Sequence, residues 1–415
     1  MTPALDLDPA VPQRDVMLDA AAVAGRLARL LGVEIGSCRR VRAKYRIGAR
    51  LRVVHRIRSA SGCFDVAAST FRRLERSERS YAETRERAVA SGPVPPVALD
   101  RDLTTVFWTF PNDRKITSLP ALVGPAPELA ELHSGWSRSE LVSYAPEKAA
   151  TVRCLDHAER TIGFAKTYAG DEGARTRRVH DALVRALGPD DPLLRLPRAF
   201  GYSPRHKTLL VEAVDRVPLG VFDGPDHRVG YRRLGRGLAR LHGLAPPDGD
   251  RFGRADPDRL EAAAELIASV RGDVAAPARE LARDLRPRLD LDANVVCLHG
   301  DVNFRNALHE NGRVALIDLD QVATGPAAAE LGSVIASLRY AGVVGLLDPT
   351  LVPELCASLL AGYSEIRPAP DEEALSAFTA AALLGERALR VVTRVRPEGL
   401  RRLSAVLAEA RVVLR

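Results

Sequence analysis

Residues 294–320, NVVCLHGDVNFRNALHENGRVALIDLD, constrain this chain more than any other segment. Two four-residue apolar runs, VVCL and VALI, end at His299-Gly300-Asp301 and at Asp318. Between them lie Asn306 and a turn sequence, Glu310-Asn311-Gly312. Short apolar runs bounded by turn residues read as buried strands. Two carboxylates and one amide are therefore expected at the ends of two short strands joined by a hairpin-like turn. Phosphoryl transfer needs such a set: one carboxylate to orient the attacking hydroxyl and accept its proton, and a carboxylate plus an amide oxygen to hold Mg²⁺ on the phosphates. The joint spacing is what carries this; a lone Asp301 would be an ordinary turn or capping residue.

Around this segment the pattern changes along the chain of 415 residues. The first half alternates strands and helices: a helix over 16–32, strands within 41–70, a charged helix over 71–90, a strand at 103–109, a short helix and linker at 120–138, a second strand pair from Ser143, and a strand at 206–214. Beyond Pro218 helices are expected at 227–242, 256–271, 277–289, 326–340, 351–363, 371–393 and 397–413, with Asp256-Pro257 as an N-cap and first-turn pair. No run of about 18 uncharged apolar residues exists, so no membrane span is expected. The N-terminus has no basic stretch followed by an apolar run of the signal-peptide kind. Cys38, Cys63, Cys154, Cys297 and Cys356 form no CxxC pair, which excludes zinc ribbons and thioredoxin-like sites. The expectation is a reduced, soluble, cytoplasmic protein.

The net charge of +7 is concentrated. Residues 39–58, RRVRAKYRIGARLRVVHRIR, hold nine basic residues and no acidic one, leaving 7 − 9 = −2 for the rest. Cationic and apolar residues alternate, as on a strand with one apolar face. The stripe is expected to face solvent or an anionic partner, or to pair with the acidic residues of 74–86. It lacks the exposed aromatic interleaving of single-strand binders, which argues against nucleic acid. The stretch around Tyr45 can also be laid over LVSYAPEKAATVRCLD around Tyr144, which suggests a duplicated β unit. Only the second copy carries a lysine on its third strand, Lys166, where the first offers Ala67 or Ala68. The basic residues are 55 arginines and five lysines, so each lysine counts: a compact ammonium is not replaced by a guanidinium.

His299-x-Asp301-x4-Asn306, followed by Ile317-Asp318 and Gly325-Pro326-AAAELG, resembles the catalytic and metal loops of the aminoglycoside phosphotransferase and choline kinase superfamily. The resemblance implies an α+β, protein-kinase-like two-lobed fold with a β-rich small lobe and a mainly helical large lobe. Ahead of it the chain has an additional N-terminal α/β cap subdomain, similar to that of maltokinase-type kinases. The implied division is 1–137 cap, 138–214 nucleotide-binding small lobe, 215–415 catalytic and acceptor-binding large lobe. Asp301 would be the catalytic base, and Asn306 and Asp318 the Mg²⁺ ligands. Lys166 would hold the α- and β-phosphates of ATP, Lys148 would reach a phosphate from the turn that replaces a glycine-rich loop, and Glu212 to Val214 would meet adenine. His299 and Glu330 would brace the loop, and His242 would be packed or capping. Asp320 is either a second metal-side carboxylate or a turn residue, and the acids available to pair with Lys166 are Glu172 and Asp181. The implied activity is ATP- and Mg²⁺-dependent transfer to a hydroxyl of a small polar metabolite: a sugar, aminosugar or aminoglycoside first, choline-like or amino-alcohol substrates next. The alternative is a catalytically weak binding protein that uses the stripe. Asp248, Asp250, Asp256, Glu372, Glu373 and Glu386 are the acids available to greet an amine.

Overall fold

The computed structural model describes residues 5–90, 92, 94–214, 218–219, 227–245, 250–310 and 312–415; Asp215, Asp248 and Asn311 lie outside them. α1 (Arg14–Leu18) and α2 (Ala20–Leu31) come first. Asp19 caps α2 by accepting from the Ala21 and Ala22 amides, and Gly32 closes it in the left-handed conformation. Val23, Leu27 and Leu31 form its buried stripe. A meander follows, β1 (Ser37–Arg46), β2 (Arg50–Ser59) and β3 (Gly62–Thr70), then α3 (Leu74–Glu86) and a hairpin of β4 (Val97–Asp100) and β5 (Thr105–Thr109). The five strands are antiparallel in the order β1-β2-β3-β5-β4.

After α4 (Leu119–Val123) and α5 (Pro127–Ala130) the same plan is repeated. A meander of β6 (Arg138–Ala145), β7 (Ala149–Leu155) and β8 (Thr161–Tyr168) leads into α6 (Glu172–Leu187). The two-residue β9 (Leu194–Arg195) pairs elsewhere, and a hairpin of β10 (Ala199–Ser203) and β11 (Thr208–Glu212) closes a sheet of order β6-β7-β8-β11-β10. Strand for strand, this is the topology of the first sheet. The likeness extends to side chains. In each copy a three-residue turn follows the tyrosine, with its middle residue at positive φ: Gly48 at 69° and Glu147 at 57°. Tyr45 and the Gly48 amide both donate to Asp8 Oδ2, at 2.5 and 2.9 Å. Tyr144 and the Glu147 amide both donate to Asp113 Oδ2, at 2.7 and 2.8 Å. Asp113 belongs to the FPNDRK run, for which the sequence suggested only a turn. The pairing register corrects one detail: Arg52 faces Ser69 where Thr151 faces Lys166, so the counterpart of Lys166 is Ser69 rather than Ala67 or Ala68.

The remainder is mainly helical: α7 (His227–His242), α8 (Pro257–Ala268) and α9 (Ala275–Leu285) precede β12 (Val295–Leu298), β13 (Ala307–Glu310), β14 (Arg313–Leu316) and β15 (Ala323–Pro326). Then come α10 (Ala327–Val343), α11 (Val352–Ser364), α12 (Glu372–Ala382), α13 (Leu389–Thr393), α14 (Pro397–Arg401) and α15 (Leu403–Leu414). The single helix expected over 371–393 contains a π-helical stretch, Leu383–Ala388; such insertions re-aim side chains and often sit at functional sites. Asp256 does cap α8, accepting from the Arg259 amide. No helix among the described residues is long and apolar enough to cross a membrane, and the five cysteines are free thiols.

Packing ties the first sheet to both partners. One core cluster runs from Leu27, Leu51 and Val53 into Leu260, Leu281, Leu384 and Leu407 of the helical part. Another joins Val54, Ala67 and Trp108 to Leu119, Tyr144 and Ala150 of the second unit. Each fully buried leucine is worth roughly 1.5–3 kcal/mol, so the first unit is an integral layer and not a tethered appendage. α4 and α5, placed with the cap by the sequence division, put Leu122 and Leu129 against Val152, Ala165 and Leu210 of the second sheet.

Candidate active site

β12 and the β13–β14 hairpin carry the motif as the sequence anticipates. Ala307, Val314 and Leu316 sink into a core with Leu234, Leu238 and Leu331, which fixes the strand ends. Gly300 has φ 79°, and a Cβ there would lie 2.0 Å from the Gln321 carbonyl oxygen, so only glycine fits between His299 and Asp301. Glu330 is buried and accepts from the His299 amide at 3.1 Å and the Gly300 amide at 2.7 Å, with His242 Nε2 at 3.0 Å. Burial works to raise the Glu330 pKa, but His242, His299 and the Gly300 amide hold it below the ordinary value. His242 Nδ1 lies 3.0 Å from the Tyr363 hydroxyl, and His299 Nε2 lies 2.9 Å from the Ile317 carbonyl oxygen. These contacts leave both histidines as loop supports. Asn306 gives its Nδ2 to the Asp301 carbonyl at 3.0 Å, so its Oδ1 is the atom left for a cation.

Asp318 sits in the left-handed region at φ 66°, where aspartate is one of the few tolerated non-glycine residues. Its Oδ1 meets Lys166 Nζ at 2.8 Å. The sequence left two roles open for Asp320. In the structure its Oδ2 lies 2.7 Å from Lys166 Nζ and its Oδ1 accepts from the Tyr168 hydroxyl at 2.8 Å. Burial opposes the Lys166 charge, yet Asp320 and Asp318 outweigh it and raise the pKa. The helical acids are elsewhere: Asp181 pairs with Arg177, and Glu172 folds back to Gly170. Toward Lys166, α6 presents Thr176 and His180 instead. His180 is buried with neither ring nitrogen hydrogen-bonded, and desolvation pulls its pKa to about 4, so it stays neutral.

Between the two lobes lies a cleft of about 240 Å³ lined by Lys166, Glu212, Val214, Asn306 and Asp318, with Phe164 and Leu209 as apolar walls. Glu212 spends its carboxylate on Arg195 at 2.7 Å and on the Arg198 amide at 2.9 Å, leaving only backbone groups for a ligand. Of the sequence-predicted residues, Lys166, Glu212, Val214, Asn306 and Asp318 line this cleft, and Asp301 lies beside it, its carbonyl bonded by Asn306; Lys148 does not join them. It lies across the turn, in a separate crevice with Arg42, Lys44, Arg52 and Arg394.

Within the stripe at 39–58, Arg39, Lys44, Arg46 and Arg58 are exposed as expected, but its middle departs from expectation. Arg50 and Arg52 do not face solvent, nor do they pair with the acids of 74–86. Both grip Glu147, at the tip of the β6–β7 turn, at 3.4 and 2.5 Å, and Arg114 adds a third contact at 2.8 Å. The Glu147 side chain is 0 % exposed. Burial would raise its pKa, but Arg114, Arg52 and Arg50 hold it below the ordinary 4.5. Its stabilising contribution is therefore complete at neutral pH and is lost only as the pH falls through that lowered value. Glu147→Gln leaves buried Arg52 without its counter-charge and is expected to cost about 3 kcal/mol, read as a lower midpoint in denaturant; an unchanged midpoint contradicts the clamp.

Asp301 is flanked by cations that the sequence did not single out. Arg254 Nη1 lies 3.0 Å and Arg390 Nη2 3.2 Å from Asp301 Oδ1. Burial would raise the Asp301 pKa; Arg254 and Arg390 outweigh it and hold the carboxylate ionised below the ordinary aspartate value. Glu386, on the π-helical stretch, lies 3.5 Å from Arg254 and bonds the Ser333 hydroxyl at 3.1 Å. None of the other described acids offered for an amine is at Asp301: Asp250 faces Arg175 at 3.6 Å, Asp256 caps α8, and Glu372 and Glu373 stand in the exposed first turn of α12. Arginine is so frequent in this chain that no spacing marked Arg254 or Arg390; only folding brings them to the carboxylate.

A β lobe carrying Lys166, a helical lobe carrying Asp301, Asn306 and Asp318, and a cleft between them define a phosphotransferase of the protein-kinase-like type. The chain belongs to the APH phosphotransferase enzyme family, whose model matches residues 164–372, and is a small-molecule phosphotransferase. No curated protein matches it. Among solved structures, a thermostable mutant of aminoglycoside phosphotransferase APH(4)-Ia, in ternary complex with AMP-PNP and hygromycin B, is 13% identical with a TM-score of 0.50, covering 69% of this chain and 97% of that one. A choline/ethanolamine kinase family protein from Mesorhizobium loti is 13% identical (TM-score 0.48; 71% and 93% covered). Aminoglycoside phosphotransferase APH(3'')-Id from Streptomyces rimosus is 20% identical (TM-score 0.42; 58% and 90% covered). At 13% identity, the likeness to the first of these extends to the fold alone.

Proposed function

We propose that the protein transfers the γ-phosphate of ATP to a hydroxyl of a small polar metabolite of the sugar class, with Mg²⁺. The observation that carries this is the Lys166–Asp318 contact at 2.8 Å across the interlobe cleft, with Asn306 on the same wall and Asp301 one loop away. Lys166 is placed for the α- and β-phosphates, and Glu212 and Val214 offer backbone groups to the base. Asp301, ionised, orients the acceptor hydroxyl and receives its proton. Its lowered pKa makes it a weak base, which suits a loose transition state in which positioning dominates. The oxygens of Asp318 and Asn306 fit Mg²⁺, which takes few carboxylates and completes its shell with phosphate oxygens and water. Bound there, Mg²⁺ would supply charge neutralisation on the phosphates. As a working division we propose 1–137 as cap, 138–214 as nucleotide lobe and 215–415 as catalytic lobe.

The complete Lys/Asp/Asn/Asp set supports turnover over mere binding. Arg254 and Arg390 beside Asp301 disfavour aminoglycoside or choline-like cations. Turnover of Mg·ATP across sugars, aminosugars, aminoglycosides and amino alcohols tests the proposal, and no transfer to any hydroxyl acceptor would sink it. In the same assay Lys166→Ala is expected to raise KM for ATP about 10–100-fold, because hydrogen bonds to charged groups are worth roughly 1.5–3 kcal/mol. An unchanged KM removes Lys166 from the nucleotide site.

A further inference from the structure

Where the first sheet, the β6–β7 turn and the end of α13 meet, a narrow crevice is lined by Arg42, Lys44, Arg52, Lys148 and Arg394, with no acidic side chain in its wall. Only Arg52 has a carboxylate partner, Glu147; among the described residues the other four make no ion pair. Most of the other arginines packed between elements are paired, so this cluster stands out. Arg394 Nη1 is buried without a hydrogen-bond partner. Burial and then Arg394, Lys148, Arg52 and Arg42 push the Lys44 pKa down to about 8, and burial followed by Arg42, Arg390 and Arg396 pushes Arg394 down to about 10. Like charges held together without counter-charge destabilise a fold. An anion that joins such a cluster stabilises it.

The crevice lies one helical turn from a residue of the reaction centre. Arg390, which touches Asp301, precedes Arg394 by four residues, one helical turn or about 5–6 Å between side-chain origins. An acceptor whose hydroxyl lies at Asp301 would therefore bring a substituent a few bonds away to Arg394, Arg42 and Lys44. Among the described acids offered for an amine, Asp250, Asp256 and Glu386 are engaged by protein groups, and Glu372 and Glu373 stand exposed on α12.

We propose that this crevice binds an anionic group of the acceptor, so that the substrate is a hydroxylated metabolite already carrying a phosphate or carboxylate, gripped by Arg42 and Lys44 of the first sheet together with Lys148 and Arg394. This rests on the phosphotransferase function proposed above and narrows its acceptor class. It also gives the first sheet a role in recognition that the second sheet, with its Lys166, does not duplicate. The crevice as it stands has room for little more than a water, about 10 Å³, and opens by rotation of its long side chains.

The same chemistry could come from the triphosphate of ATP, since Lys148 lies on the nucleotide-side turn. Two measurements separate the sources. In the first, wild-type protein saturated with Mg·AMP-PNP is titrated with glucose 6-phosphate, gluconate, glucose and glucosamine by calorimetry. The two anions are expected to bind at least tenfold more tightly than the other two. In the second, the titrations are repeated on R42Q/K44Q and, separately, R394Q. Both should lose at least tenfold in affinity for the anions, with AMP-PNP affinity changed less than twofold. Their unfolding midpoints should be equal to or above wild type, because repulsion has been removed; this also establishes that they fold. Preference for glucose or glucosamine, or anion binding indifferent to the substitutions, overturns the proposal. So does an equal loss of AMP-PNP affinity, which would assign the cations to ATP. Failure of the phosphotransferase function is read separately, from the absence of ATP turnover, and leaves the binding result to decide the anion site.

Discussion

Asp301→Asn lowers phosphoryl transfer by about 10²–10⁴-fold, the range contributed by a positioned proton acceptor, while AMP-PNP binding is retained. The carboxylate is ionised by its surroundings and accepts from Arg254 and Arg390 at 3.0 and 3.2 Å. An amide of the same shape keeps the loop but lacks the charge. It can neither receive the proton nor balance the two arginines, so a modest loss of stability accompanies the kinetic one. Steady-state kcat together with calorimetric AMP-PNP affinity checks this. Near-normal turnover would remove Asp301 from the reaction.

Asp318→Ala is expected to abolish Mg²⁺-dependent turnover, a loss of about 10³-fold or more by comparison with other deletions of a charge-stabilising group. It removes the carboxylate that directly follows the apolar run 314–317, lines the cleft with Asn306 and meets Lys166 at 2.8 Å. Asp320→Ala provides the contrast. Asp320 anchors Lys166 at 2.7 Å and Tyr168 at 2.8 Å, so its loss should raise KM for ATP more than it lowers kcat. If Asp320→Ala is inactive and Asp318→Ala active, the metal-side carboxylate lies two residues further on.

The motif was legible because its chemistry is local. Asp301, Asn306 and Asp318 sit at the ends of short apolar runs, and strand ends put side chains where a turn exposes them. Lys166 was legible for a compositional reason, since lysine is scarce in an arginine-biased chain. The partner of Lys166 was not. It was sought on the following helix, yet Asp318 and Asp320 come from 152 and 154 residues away along the chain, across the cleft. Arg254 and Arg390 were invisible for the same reason, because one guanidinium among 55 carries no signal until packing selects it. The repeated unit was visible through Tyr45 and Tyr144. Its firmest evidence, Asp8 and Asp113 bonding the same two groups in each copy, lies outside the aligned stretch, where sequence comparison does not reach. At Arg50 and Arg52 the arginine stripe misled because alternation reports which face is polar, not what covers it: Glu147, about 95 residues later, was already there to do so.

The first sheet's grip on both neighbours alters how the cleft can open. In a body of two lobes joined by one strand crossing, relative motion is a rotation with several free axes. Here the β lobe is also held to the helical lobe by β9 paired with β14, by Val179 and Leu183 of α6 packed with Leu234 and Leu238, and, through Glu147 and Asp113, by way of the first sheet. Attachments spread over several places restrict twist and sideways slip of one lobe against the other. A motion that opens the cleft then also works on the arginine-lined crevice, because the first sheet that walls the crevice packs against both neighbours.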